Sequence, residues 1–137
     1  MDALPHWRPG APAVLVVAGP HAIPVSTARR AGERRVVFAL GARRETLARL
    51  REDPAAALCV LAEGVAFSAY GEASVLGELE SVPVVAVALR VERIQDHLAD
   101  GRTDMLGAAP WRRPAQRDQE TDHEVSEQLR RLADASR

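Results

Sequence analysis

Arg43-Arg44-Glu45-Thr46-Leu47-Ala48-Arg49-Leu50-Arg51-Glu52-Asp53-Pro54 is a short arginine-rich stretch set between two apolar, strand-like runs. Leu47 and Leu50 fall three apart on one face, and Glu45 and Arg49 stand at the four-residue spacing of a helical ion pair. Pro54 closes the helix, because the residue before a proline avoids the α region. The stretch therefore predicts one amphipathic helix of about two turns laid on a sheet. Its start carries Arg43 and Arg44 beside backbone N–H groups that have no partner within the helix, an arrangement that attracts anions.

Working outward, the preceding residues read as strands. Residues 1–12 hold three prolines, Gly10 and Trp7, an irregular lead-in that the indole could dock. Ala13 to Ala18 is apolar and rich in β-branched residues, as a strand buried on both faces would be. Gly19-Pro20 turns the chain, and His21 to Ala28 follows as a second strand, bulged or at an edge where Pro24 lacks a donor. Arg30-Ala31-Gly32-Glu33 reads as a hairpin connection, and Arg35 to Leu40 completes a three-stranded meander.

After Pro54 come Ala56 to Leu61, a turn at Glu63-Gly64, and a long run from Val65 to Leu79 in which Gly71 and Gly77 mark bends or close backbone approaches. Val82 to Ile94 alternates, with Val85, Val87, Leu89 and Val91 on one face. A short helix is expected over Ile94 to Asp100, stopped by Gly101. Residues 102–120 show no clean period and read as a loop or arm. Thr121-Asp122-His123-Glu124 forms a capping box, with Val125, Leu129 and Leu132 at helical spacing after it, so a C-terminal helix is expected over 121–137. The reading is a single β-rich α+β domain: a six-stranded antiparallel split β-barrel with an inserted helix and a C-terminal helix.

Composition excludes several functions. The 137 residues carry 18 basic and 19 acidic side chains, a net charge of -1, so no overall basic field recruits nucleic acid or an anionic membrane. All the basic residues are arginine; without lysine there is neither a Schiff-base amine nor a P-loop lysine. The lone Cys59 cannot form an internal disulfide, and within Leu58-Cys59-Val60-Leu61 it reads as a small buried hydrophobe. No apolar run reaches the ~18 residues of a membrane helix. Met1 to Pro5 lacks the pattern of a signal peptide, so a cytoplasmic protein is expected. His6, His21, His97 and His123 are scattered, and no metal site is expected. There is also no serine elbow and no G-x-G-x-x-G.

One constellation has chemical force. Arg43 and Arg44 at the helix start, with Ser26 and Thr27 as donors from a neighbouring strand, suit a phosphate. Taken alone, these residues suit a solvated helix face somewhat better. Arg29-Arg30 and Arg34-Arg35 read as exposed cations flanking the hairpin. Trp111 could cover a flat ring system, although anchoring of the arm is the favoured reading.

The order of elements changes that balance. The stretch Gly19 to Leu61, including Gly-Pro-His-Ala-Ile-Pro-Val-Ser, Val36-Val37-Phe38-Ala39-Leu40-Gly41 and the Leu-Arg-x-Asp-Pro end of the helix, resembles the pyridoxamine phosphate oxidase-like, FMN-binding split-barrel family. So does Tyr70-Gly71-Glu72-Ala73, and the resemblance spans about residues 13–98.

It implies a homodimer with FMN, or in some branches a deazaflavin, at the subunit interface, acting as an oxidoreductase on a small molecule. The family often places Ser-x-Lys at the helix start; the corresponding positions here are Arg44 and Thr46, so neither residue is retained. The cofactor-binding residues expected are Ser26, Thr27, Arg43, Arg44 and Thr46, and no catalytic side chain is assigned. A non-catalytic flavin- or haem-binding dimer is the alternative, and a structural dimer with an empty groove is a third reading. The apolar row Val85, Val87, Leu89 and Val91 is expected to need a partner to cover it.

Overall fold

The computed structural model describes residues 1–135. Among them the chain forms β1 (Ala13–Val17), β2 (His21–Val25), β3 (Arg29–Arg30), β4 (Arg35–Gly41), α1 (Glu45–Glu52), β5 (Ala55–Ala62), β6 (Val65–Glu78), β7 (Val84–Asp96) and α2 (Gln116–Ala135). The strands make one antiparallel sheet in the order β2-β1-β5-β6-β7-β4-β3.

The expected six strands are seven. The second apolar run breaks after Val25, and the chain crosses from one edge of the sheet to the other before pairing Arg29 and Arg30 with Val37 and Val36. Thr27 holds this crossing: its hydroxyl accepts the Ala39 N–H at 2.9 Å and faces the Ala39 carbonyl at 3.4 Å. The first three runs therefore do not form a meander. β1 and β2 pair as a hairpin, whereas β4 pairs with β7, and the sheet curls because consecutive segments occupy its opposite edges.

Gly71 and Gly77 act as expected. Each sits at a register shift between β6 and β7, and a Cβ on Gly71 would lie 1.9 Å from the Arg90 carbonyl oxygen. No other residue fits so close an approach.

The core fills the inside of the curl with Leu15, Phe38, Leu58, Val60, Phe67 and their neighbours, and Leu47 and Leu50 of α1 join it. Trp7 packs partly buried against this core, its ring 5.3 Å from that of Phe67 and its Nε1 donating to the Ala28 carbonyl at 3.1 Å. Val85, Val87, Leu89 and Val91 also point inward and are fully covered within one chain. That row consequently needs no partner, contrary to the expectation from the sequence.

The opposite face of β4 and β7 is covered by α2, whose Val125, Leu129 and Ala133 pack with Val37, Ala86 and Ala88. Gln128 fixes the helix along its length, its amide pairing with both the N–H and the carbonyl of Glu80 at 2.8 Å.

Three boundaries differ from expectation. β7 continues to Asp96, because Gln95 and Asp96 stay in register with Ser68 and Phe67; residues 97–100 form a turn in place of a helix. α2 begins at Gln116, before the capping box, and Thr121 donates its hydroxyl back to the Arg117 carbonyl at 3.0 Å, as an interior helical threonine does. The arm is accordingly residues 102–115, and the expected helical positions 136 and 137 lie outside the described residues. Cys59 is half-buried on the outer face of β5, in register between Val14 and Ser68, because strand alternation turns Leu58 and Val60 inward.

Candidate functional site

A groove of about 790 Å³ runs between the β2–β3 crossing and the C-terminal part of the chain. Its floor is Ser26, Thr27 and the end of β4 from Ala39 to Gly41, its far wall is the arm at Ala109 to Arg113 with the first turns of α2, and Arg44 lines it as well. Arg44 is the N-cap position of α1, in extended backbone conformation (φ -68°, ψ 140°) and with no side-chain cap of its own. Its N–H donates to the Gly41 carbonyl at 3.1 Å, which folds the tight link from β4 into the helix. A Cβ on Gly41 would lie 3.3 Å from the Arg44 Cγ, so the arginine stem rests directly on that backbone.

The five residues singled out in the sequence separate. Ser26, Thr27 and Arg44 line the groove together, whereas Arg43 and Thr46 do not. Thr46 is 1% exposed and lies 2.9 Å from His21 Nε2, so its hydroxyl docks α1 on β2. Arg43 is exposed to solvent. Thr27 faces the groove, although its hydroxyl is already engaged by Ala39. Arg49 completes the docking of α1, bridging Glu45 at 3.1 Å and the Ala18 carbonyl at 3.1 Å beside the β1–β2 turn.

Of the far wall, sequence reasoning picked out only Trp111. Trp111 anchors the arm, its Nε1 donating to the Gly10 carbonyl at 2.7 Å, yet it stays 44% exposed and lines the groove. Arg113 lies 5.1 Å above the Trp111 ring and pairs with Asp122 at 2.7 Å. Asp118 lies 3.7 Å from Arg117. Arg44 and Arg112 have no side-chain hydrogen bond or ion pair among the described residues. They are the groove's uncommitted cations. The signal for the wall was present in Pro110-Trp111-Arg112-Arg113, but nothing local shows that this segment returns to Gly10, a hundred residues earlier in the chain.

A phosphate would find an exposed, unpaired guanidinium and a hydroxyl in Arg44 and Ser26, and a planar ring could lie beside Trp111. Among the described residues no three His, Cys, Asp or Glu side chains converge as metal ligands. No helix among them is long and apolar enough to cross a membrane.

No protein-family model matches the sequence, and no curated protein matches it. Solved structures do match the fold. A candidate pyridoxamine 5'-phosphate oxidase from Listeria innocua is 16% identical with a TM-score of 0.52, over 64% of this chain and 88% of that one. HupZ from Group A Streptococcus is 15% identical with a TM-score of 0.55, over 74% and 90% of the two chains. An F420 reductase is 11% identical with a TM-score of 0.50, over 63% and 90%. The curled sheet with its inserted helix is thus the split-barrel fold of the pyridoxamine 5'-phosphate oxidase-like proteins.

Proposed function

We propose that this protein binds a flavin-type cofactor, FMN or a deazaflavin, in the groove beside Arg44 and works as a homodimeric oxidoreductase on a small molecule. The observation that carries the reading is the convergence of Ser26 and the unpaired Arg44 on one groove of about 790 Å³. That volume lies within the ~300–1,000 Å³ of ordinary ligand pockets. Arg44 would hold the phosphate by charge-assisted hydrogen bonds and Ser26 would donate to it. Trp111 offers a flat apolar surface for the ring and helps exclude water. Thr27 shapes the floor through Ala39, and Thr46 keeps α1 in place through His21. When bound, the cofactor supplies the hydride chemistry, and this chain supplies binding and orientation.

The likeness to an F420 reductase supports the deazaflavin variant, since F420 is a deazaflavin. Haem is less well served, because the groove lining contains no His, Cys, Met or Tyr of this chain to act as an axial ligand. The homodimer is supported by the outer face of β1 and β5. There Val14 and Leu61 are 42% and 45% exposed, beside half-buried Val16, Ala57 and Cys59. α2 covers the outer face of the sheet only at β4 and β7, and leaves this apolar area of β1 and β5 to a symmetric partner.

The visible absorption spectrum of the purified protein tests the reading. A flavin or deazaflavin band is expected, either as isolated or after incubation with the cofactor. A haem spectrum, or a protein that takes up neither flavin, would overturn it.

A further inference from the structure

Behind Trp111 lies a second, smaller cavity of about 140 Å³, which shares Ser26, Thr27 and Asp122 with the groove and is otherwise walled by Pro9, Gly10, Arg29 and Ser126. By volume it holds what about four or five waters occupy in the liquid, at ~30 Å³ each. Arg29 is half-buried there and donates from Nη2 to Ser126 Oγ at 3.0 Å. A guanidinium carries five N–H donors, so this bond leaves most of them open. No carboxylate lies within ion-pair distance of Arg29 among the described residues. Asp122, the acidic residue of the wall, gives Oδ2 to Arg113 at 2.7 Å. The pair is neutral overall, and Arg29 leaves the cavity one uncompensated positive charge.

We propose that this cavity is a binding site for a small oxyanion, the carboxylate or phosphate group of a small molecule, distinct from the cofactor-phosphate seat at Arg44. The size admits such a group and little more, and a partly desolvated guanidinium with free donors recognises it by charge-assisted hydrogen bonds. Trp111 lines both cavities, so a molecule in the groove can place its acid end against Arg29. Where the groove holds a flavin, this makes the substrate a small acid, a step that rests on the flavin reading. Anion binding itself does not.

The test is calorimetric titration of the protein with acetate and, separately, with inorganic phosphate. It compares wild type with Arg29→Gln, Arg29→Lys, Asp122→Asn and Arg43→Gln. Saturable binding of at least one anion is expected, weakened tenfold or more in Arg29→Gln and partly restored in Arg29→Lys. Arg43→Gln, at an exposed arginine outside both cavities, should leave it unchanged. Asp122→Asn should tighten it severalfold by removing a negative charge from the wall, a gain that loss of folding cannot imitate. Which of the two anions binds tells carboxylate from phosphate.

Absence of saturation in wild type, no effect of Arg29→Gln, no tightening in Asp122→Asn, or an equal loss in Arg43→Gln would overturn the proposal. A parallel titration of wild type and Arg29→Gln with FMN separates the two readings. Unchanged FMN affinity in Arg29→Gln supports two sites, and a loss equal to that of the anion would make the cavity the cofactor's own phosphate seat. Failure of FMN to bind at all would sink the flavin reading and leave the anion result standing.

Discussion

The Thr27 hydroxyl accepts the Ala39 N–H at 2.9 Å and faces the Ala39 carbonyl at 3.4 Å, so one side chain does for β4 what a neighbouring strand would otherwise do. The bond closes the sheet at the place where the chain crosses between its edges, and it builds the groove floor at the same time. Thr27→Val keeps the shape and removes the partner, leaving a half-buried backbone N–H unsatisfied. A loss of about 1–3 kcal/mol of stability is expected, measured by chemical denaturation. An unchanged unfolding midpoint would show that water replaces the hydroxyl without cost.

Gly71→Ala should be worse tolerated. The added methyl would stand 1.9 Å from the Arg90 carbonyl oxygen, and backbone on both strands would have to move. Overpacking of this kind costs about 1–3 kcal/mol and occasionally more. The thermal midpoint, or the soluble yield, reads it. Gly64→Ala and Gly107→Ala, where a Cβ meets nothing within 4 Å, are the controls for space, although Gly64 also has a positive φ of 69°.

These two positions show what was legible in the sequence. Gly71 was visible because a glycine inside an otherwise apolar strand has few reasons to be there. The inserted helix was visible because Leu47, Leu50, the Glu45–Arg49 pair and Pro54 act within twelve residues. Thr27 was not, because its partner is on another strand and a Ser-Thr pair beside an arginine-rich helix reads equally well as a phosphate donor set. The seventh strand was hidden for the same reason, since two arginines have no alternating pattern to show. The start of α2 was hidden because Gln116 to Glu120 is largely solvent-exposed and has no apolar stripe. Of the five candidate site residues, proximity to Pro54 located Arg44, but it could not tell Thr46, turned toward His21, from a residue facing the groove.

The C-terminal helix should be an integral layer. Leu129 is 1% exposed and packs among Val37, Ala86 and Ala88 with Val125. Leu129→Ala is expected to cost about 2–5 kcal/mol, read from the denaturation midpoint. Because the same helix forms the groove's far wall, the variant should also weaken flavin uptake. An unchanged midpoint would show α2 to be a loose tail.

The uncovered face of β1 and β5 predicts the oligomer. Wild type should sediment as a dimer at micromolar concentration, and Val14→Glu, a charge placed in the middle of that face, should give a folded monomer. A monodisperse wild-type monomer would remove the homodimer from the account. A Val14→Glu protein that remains dimeric would place the interface on another surface.

The most direct measurement is the affinity of the protein for FMN, and separately for a deazaflavin, in wild type, Arg44→Ala and Arg43→Ala, followed by fluorescence. A hydrogen bond to a charged group is worth about 1.5–3 kcal/mol, so Arg44→Ala should bind about ten- to a hundredfold more weakly. Arg43→Ala, outside the groove lining, should match wild type. Wild-type protein that binds neither cofactor, or an Arg44→Ala variant that binds as tightly as wild type, would contradict the assignment of the groove.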